Sequence, residues 1–237
     1  MKKKLLNILA CLSIILIGAF ALVGCGDDPA DTNVYVSTEA QLTTAVNNTP
    51  KEYEIVLKNN IVLTTQLEVT KEVTLNLNGK KLYTEEDIVN NDPDVKDWSM
   101  ISVQEGGKLT IKGNGIIEAL DGTECYGIDV RGGSLIFKNG TIKANCSAIY
   151  VREGSAVVEG GTISIYNNDY TYDYNYTLNC LDANLNNQTA TISVAGGTFE
   201  NYDPANSASE NPLKNFVAEG YEAVEDNGNY VVSKIAD

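Results

Sequence analysis

The residues Cys125-Tyr-Gly-Ile-Asp-Val130 and Cys146-Ser-Ala-Ile-Tyr-Val151 decide the fold, because they are one short pattern that occurs twice. The two cysteines are 21 positions apart. A second pair of similar segments, which begin at Asn139 and Gly160, has the same separation of 21 positions. Two independent pairs of similar segments with the same separation indicate a structural repeat. Apolar and polar residues alternate within each copy, which is typical of a strand with one buried face.

The repeat continues on both sides of these two copies. Related first runs stand at 98–103 and 180–185, and each is followed by a second and a third short alternating run, with glycine and asparagine between them. A unit of three short strands cannot bury its inner face alone, whereas stacked units pair each strand with its equivalents at ~4.8 Å. The sequence therefore predicts an all-β fold, a single-stranded right-handed parallel β-helix solenoid.

Both ends of such a solenoid need a cap, because an open sheet edge recruits other strands. Residues 37–46 predict a short amphipathic N-terminal capping helix, begun by Ser37 or Thr38 with Gln41 in a capping box. Its predicted apolar face holds Leu42, Ala45 and Val46. Near the C-terminus, two alternating runs flank Glu225-Asp-Asn-Gly228, which predicts a β-hairpin turned by Asn-Gly.

The composition excludes several function classes. The chain has 237 residues, no histidine and a net charge of -15. Without histidine there is no Ser-His-Asp or Cys-His catalysis and no histidine metal site. A strongly negative chain repels nucleic acid, so the sequence predicts no nucleic-acid partner.

Residues 1–24 are predicted to form an export signal peptide. Lysines open the chain, and an apolar run follows up to Val23. The tail Leu22-Val-Gly-Cys25 resembles the lipobox of bacterial lipoproteins, with a plain membrane span as the alternative. The resemblance implies that Cys25 carries lipid, which would anchor the exported protein to the outer face of a bacterial membrane in the cell envelope. The acidic, small residues of 25–33 then form a flexible tether.

The rest of the chain carries a second resemblance. Residues 36–82, which contain Thr74-Leu-Asn-Leu-Asn-Gly-Lys80, and residues 215–232 resemble the first and last parts of bacterial cell-surface β-helix proteins of the pectate-lyase-like class. The resemblance implies the fold and a surface location, but this fold also hosts lyases, hydrolases, adhesins and stalks. The predicted β-helix with its N-terminal cap spans 34–205, and the C-terminal cap spans 206–237.

Three cysteines are predicted to have a structural role. Cys125, Cys146 and Cys180 occupy one equivalent position of the repeat, so stacking would align them in an inward ladder. The step from Cys146 to Cys180 is 34 positions, which implies an insertion of 13 residues. Buried reduced thiols are favoured over a disulfide, because neighbouring in-register side chains point in parallel. No metal site is predicted on them.

The insertion between Ile165 and Cys180 is rich in tyrosine and contains the candidate ligand-binding residues. Four of its tyrosines alternate with other residues, so an extended strand would place their rings on one face, which suits a sugar. The candidates are Tyr166, Tyr170, Tyr172, Tyr174, Tyr176, Asp169 and Asp173. The alternative is that these rings pack down on the flank of the solenoid.

Two charged groups complete the candidates. The acidic stretch 85–97 is either a solvated loop or a calcium site, and calcium is the one cofactor that the sequence leaves open. Arg131 and Arg152 are equivalent residues one repeat apart, with Asp129 and Glu153 nearby. They form either a row of charge pairs along surface turns or a charged patch like that of a lyase. The motifs of pectate lyases, polygalacturonases and pectin methylesterases are absent.

These observations predict a non-catalytic, lipid-anchored surface protein that binds a polysaccharide or a surface protein, as in adhesion, through the tyrosine-rich loop. The alternative is a carbohydrate-active enzyme, a polysaccharide lyase or glycoside hydrolase, and a subunit of an envelope assembly is a third. The carboxylates available to an enzyme include Asp129, Asp169, Asp173 and Asp182. An enzyme should show converging carboxylates with one raised pKa, whereas a binder should show exposed rings.

Overall fold

A computed structural model describes residues 32–88, 98–166, 176–207 and 214–236. Within these ranges the regular structure is almost entirely β-strand, arranged in two sheets whose pairs are mostly parallel. Two helices interrupt the strands there, α1 (Glu39–Asn48) and α2 (Asp182–Asn186). The predicted all-β class is confirmed.

Eighteen strands follow one another along the described chain. In chain order they are β1 (Asn33–Val36), β2 (Glu54–Leu57), β3 (Ile61–Val62), β4 (Leu67–Val69), β5 (Glu72–Asn76), β6 (Lys81–Tyr83), β7 (Ser99–Gln104), β8 (Lys108–Lys112), β9 (Ile116–Glu118), β10 (Tyr126–Phe137), β11 (Thr141–Ala144), β12 (Ile149–Val158), β13 (Thr162–Ile165), β14 (Leu178–Cys180), β15 (Ala190–Val194), β16 (Gly197–Glu200), β17 (Tyr221–Asp226) and β18 (Asn229–Lys234).

The first sheet is parallel throughout and contains two long strands that each change partner along their length. The first part of β10 pairs with β7 and its last residues pair with β8, while β12 pairs with β14 and then with β15. Gly132 and Gly154, both with φ +97°, stand where the partners change. A Cβ on Gly154 would overlap the carbonyl oxygen of Gly133, so this close approach of two strands requires glycine.

The second sheet runs in the order β3, β6, β9, β11, β13 and β16 with parallel pairs, and then adds β18 and β17 antiparallel. Thr141 pairs with Thr162 in this sheet, and Ile128 pairs with Ile149 in the first sheet. Both pairs are 21 positions apart, so the predicted period is confirmed between these strands.

One continuous core collects the inward side chains of both sheets. The apolar residues of the alternating runs in and after the two copies are all fully buried: Ile128, Val130, Leu135, Phe137, Ile142, Ile149, Val151, Val158 and Ile163. Each such side chain contributes roughly 1.5–3 kcal/mol through its burial. The alternation read from the sequence therefore predicted the core correctly.

Helix α1 begins as its sequence predicts. Thr38 is the N-cap, and its hydroxyl accepts a hydrogen bond from the Gln41 N–H at 3.3 Å. In return the Gln41 side chain accepts from the N–H of Ser37 at 2.8 Å, which gives a capping box displaced by one residue. The predicted apolar face of Leu42, Ala45 and Val46 is buried against the core.

A single carboxylate joins α1 to the turn after β3. Glu39 accepts hydrogen bonds from the backbone N–H and hydroxyl groups of Thr64 and Thr65, at 2.7 to 3.1 Å. Partial burial acts to raise the pKa of Glu39, but these four hydrogen bonds outweigh it, so its pKa is lowered.

The C-terminal hairpin is also confirmed. Strands β17 and β18 pair antiparallel around Asn227 and Gly228, which have φ +53° and +83°. Positive φ at both turn residues is the geometry that Asn-Gly favours in a tight hairpin. Strand β18 also pairs with β16, so the hairpin continues the second sheet.

The predicted alignment of all three cysteines is wrong for Cys180. Leu178 pairs with Ile149, and Cys180 therefore lies opposite Val151, five positions away from the predicted alignment with Cys146. The strand ends at Cys180, and α2 begins two residues later, so the predicted strand 180–185 is largely helix. The register follows the alternation of Leu178 and Cys180, because these are the side chains that fill the core.

Of the other two cysteines, Cys125 has the predicted buried environment and Cys146 does not. Cys125 is fully buried, whereas Cys146 is half-buried and has φ +53°. Burial, with the carboxylates of Glu124 and Asp87, raises the pKa of the Cys146 thiol to about 11. A thiol with a raised pKa is a poor nucleophile at neutral pH.

The predicted export signal, the lipid site at Cys25 and most of the tether lie within residues 1–31, outside the described residues. Across the ranges that the structure does describe, no helix has the length and apolar character needed to span a membrane.

Candidate functional site

The candidate site lies on the outer face of the second sheet. Strands β6, β9, β11 and β13 are in register, so Tyr83, Glu118, Lys143 and Ser164 form one row across them. Side chains alternate between the two faces of a strand. The preceding residues Leu82, Ile117, Ile142 and Ile163 therefore point into the core, where they are fully buried. The row faces away from the core, and Ser164 at its end is itself covered.

A surface pocket of about 420 Å³ opens beside this row. Its walls include Tyr83, Glu85, Glu118, Leu120, Asp121 and Tyr166. Two aromatic rings, three carboxylates and an apolar side chain therefore surround one depression.

Glu118 is at the centre of the polar contacts. One of its carboxylate oxygens forms an ion pair with the Lys81 ammonium, and the other accepts a hydrogen bond from the Tyr166 hydroxyl at 3.0 Å. Burial acts to raise the pKa of Glu118, but Lys81, Tyr166 and the nearby Lys143 together lower it. Burial and Glu118 also raise the pKa of Tyr166. At neutral pH the pair is therefore a carboxylate with a protonated phenol.

Each tyrosine of the pocket is placed by a lysine and a carboxylate. The Lys143 ammonium lies 4.4 Å from the centre of the Tyr166 ring, and that of Lys81 lies 5.4 Å from the centre of the Tyr83 ring. The Tyr83 hydroxyl is 3.4 Å from a carboxylate oxygen of Glu85, at the long end of hydrogen bonding. Both phenol protons are thus directed to carboxylates.

The predicted ligand-binding residues divide into two groups. Tyr166 lies in the pocket wall, and Tyr176 is half-buried with its N–H donating to the Cys146 carbonyl at 2.6 Å. Tyr170, Tyr172, Tyr174, Asp169 and Asp173 fall in 167–175, outside the described residues. A single extended platform of rings therefore stays a prediction.

The sequence did not predict Tyr83, Glu118, Asp121 or Lys143 as site residues. Tyr83 and Glu118 are register partners but lie 35 positions apart, because the acidic stretch 85–97 lengthens that connection. The 21-residue period alone could not align them. The alternating patterns around Leu82 and Ile117 are the signal that would have found the pair.

The acidic stretch is only partly described, up to Ile88. A second depression of about 190 Å³ lies there, and its walls include Thr64, Glu85, Glu86 and Asp87. Among the residues with described positions, no group of three or more acidic or cysteine side chains is arranged to hold a metal ion.

Both arginines of the chain meet at a carboxylate on the first sheet. Asp129 is fully buried, and its Oδ2 accepts hydrogen bonds from Arg131 Nε at 3.0 Å and Arg152 Nε at 2.7 Å. Glu153, the register partner of Arg131, is exposed. The sequence placed these residues together, and the structure adds that Asp129 joins the two arginines.

Two tyrosines complete this arginine cluster. The Arg152 guanidinium lies 4.6 Å from the centre of the Tyr150 ring, which meets the Tyr126 ring edge-on at 5.7 Å. Burial raises the pKa of Tyr126 to about 12. Burial acts to lower the pKa of Arg152, but Asp129 outweighs it and the pKa is raised. Tyr126 and Arg152 therefore keep their protons at neutral pH.

No protein-family model, curated protein or solved structure matches this chain.

Proposed function

We propose that the protein is an exported, lipid-anchored surface protein that binds a saccharide without transforming it. The scaffold we propose is a right-handed parallel β-helix. The parallel registers of both sheets and the 21-residue step support it. The N-terminal sequence, with its apolar run and Cys25, supports export and lipid attachment.

The pocket between Tyr83 and Tyr166 is the observation that carries the saccharide proposal. Sugars present C–H faces and hydroxyl edges, which suit aromatic rings beside hydrogen-bonding groups. The pocket provides two rings, and the carboxylates of Glu85, Glu118 and Asp121 stand around them. It also lies at Tyr166, where the tyrosine-rich stretch of the sequence begins, so further rings follow directly along the chain.

The electrostatics of Glu118 support binding without catalysis. A glycosidase needs a carboxylic acid that keeps its proton near neutral pH, which requires a raised pKa. The pKa of Glu118 is lowered by Lys81 and Tyr166, so this group is an anion where an acid would be needed. Asp129, the buried carboxylate proposed for an enzyme, is engaged by both arginines.

Glycan binding by tyrosine variants tests the proposal. Tyr83→Ala and Tyr166→Ala should each weaken binding of a saccharide selected on a glycan array by about tenfold, since one ring contact is worth roughly 1 kcal/mol or more. The matched controls are Tyr35→Ala and Tyr53→Ala, which remove exposed rings that do not line the pocket. Unchanged binding by both pocket variants, or an equal loss in the controls, would refute the proposal.

A further inference from the structure

We propose that the pocket prefers saccharides with a free amine, such as glucosamine oligomers, over N-acetylated or acidic ones. This inference rests on the proposed saccharide-binding function and names the ligand chemistry of the same pocket.

The first reason is the polarity of the hydrogen-bonding groups. The Tyr166 proton is donated to Glu118, and the Tyr83 hydroxyl is directed to Glu85. Both phenols therefore offer mainly oxygen lone pairs to a ligand, as do the carboxylates beside them. A ligand must bring donors to satisfy such a wall, and an ammonium group brings three.

The second reason is the balance of charge. Glu85, Glu118 and Asp121 line the pocket. Two cations contact its walls: Lys81 pairs with Glu118, and Lys143 lies over the Tyr166 ring. Among the described residues neither Glu85 nor Asp121 forms an ion pair. Their negative charge favours a cationic ligand and disfavours an acidic one.

The neighbouring depression extends the same preference along an oligomer. Glu85 lines both depressions, and Glu86 and Asp87 line the second. A chain of amino sugars that crosses from one depression to the other meets carboxylates in both. N-acetylation would remove the ligand charge and add a carbonyl acceptor against an acceptor-rich wall.

The test compares two ligands that differ only in acetylation. The full chain is titrated with fully deacetylated and fully acetylated β-1,4-linked glucosamine hexamers, at a pH where the amine is protonated. We expect the deacetylated hexamer to bind about tenfold more tightly at low salt, the size expected for two partly exposed ion pairs. Added NaCl should narrow the difference.

Charge variants separate the pocket from the general negative charge of the protein. The pair Glu85→Gln with Asp121→Asn should reduce the ratio of the two hexamer affinities, while Glu86 and Asp87 of the second depression keep part of the preference. The control pair, Glu222→Gln with Glu225→Gln, makes the same change of net charge at exposed positions of β17 and should keep the preference.

The outcomes are distinguishable. Equal affinities for both hexamers, or a preference that both variant pairs reduce equally, would overturn this inference and leave saccharide binding in place. Binding of neither hexamer nor any other saccharide would overturn the proposed function and the inference with it.

Discussion

Replacing Asp129 with asparagine would remove the charge that joins Arg131 to Arg152 while keeping the side-chain shape. Asp129 is fully buried, and the two arginine side chains are 20% and 28% exposed. Removing one partner of a buried ion pair costs about 3–5 kcal/mol. Because water reaches part of both guanidinium groups, we expect a value near the lower end, about 3 kcal/mol.

Urea unfolding followed by far-UV circular dichroism would measure this loss. Asp182→Asn is the matched control, because Asp182 is an exposed aspartate on α2, and its change should stay within about 0.5 kcal/mol. A triple variant with Asp129→Leu, Arg131→Met and Arg152→Met removes every charge of the cluster. It should be more stable than Asp129→Asn, because no buried charge is left unpaired.

Two results would refute this reasoning. A cost below about 1 kcal/mol for Asp129→Asn would mean that water, and not Asp129, solvates the arginines. A triple variant less stable than Asp129→Asn would mean that the packing of the arginine stems outweighs the charge interaction.

Two further predictions concern a contact between strands and the carboxylate that joins α1 to the turn after β3. Gly154→Ala should destabilise the protein by about 3 kcal/mol in urea unfolding, because the added Cβ would overlap Gly133. The control Gly220→Ala is also at positive φ but has open space around it, and it should cost about 1 kcal/mol. Equal costs for the two variants would contradict the close approach to Gly133. Glu39→Gln should cost about 1 kcal/mol at pH 7. Because the folded-state pKa of Glu39 is lowered, its contribution to stability is fully present above the ordinary pKa of 4.5 and is lost as the pH falls through the folded-state value. The two proteins should therefore converge in stability as the pH falls below 4.5. A difference that stays constant as the pH falls would contradict the role of the charge.

The sequence predicted those parts of the fold that local rules determine. Alternation identified the inward residues, and two pairs of similar segments 21 positions apart identified parallel partners such as Ile128 and Ile149. Capping and turn chemistry located α1 and the C-terminal hairpin, because the Thr38 hydroxyl and the Asn227-Gly228 turn act on their own neighbours.

The errors arose where the connections change length. Cys180 looks like Cys146 in sequence, but the core selects Leu178 as the partner of Ile149, so the pairing depends on a neighbour that the local pattern does not contain. The sequence did not predict helix α2, because the run 180–185 was matched to the repeat strands that begin at Cys125 and Cys146. The pocket was missed because Tyr83 and Glu118 become neighbours only through tertiary register, and their 35-residue separation hides the period.

The connections between paired strands differ in length without disturbing the pairing itself. Ile128 and Ile149 are 21 positions apart, Ile149 and Leu178 are 29 apart, and Ile163 and Phe199 are 36 apart, yet all three pairs are parallel and in register. The connection between β13 and β14 therefore tolerates additional sequence, and foreign peptides grafted into it should leave the pairing of the flanking strands unchanged. The same tolerance would let natural variation change the length and sequence of this connection while the pairing of the strands on either side is retained.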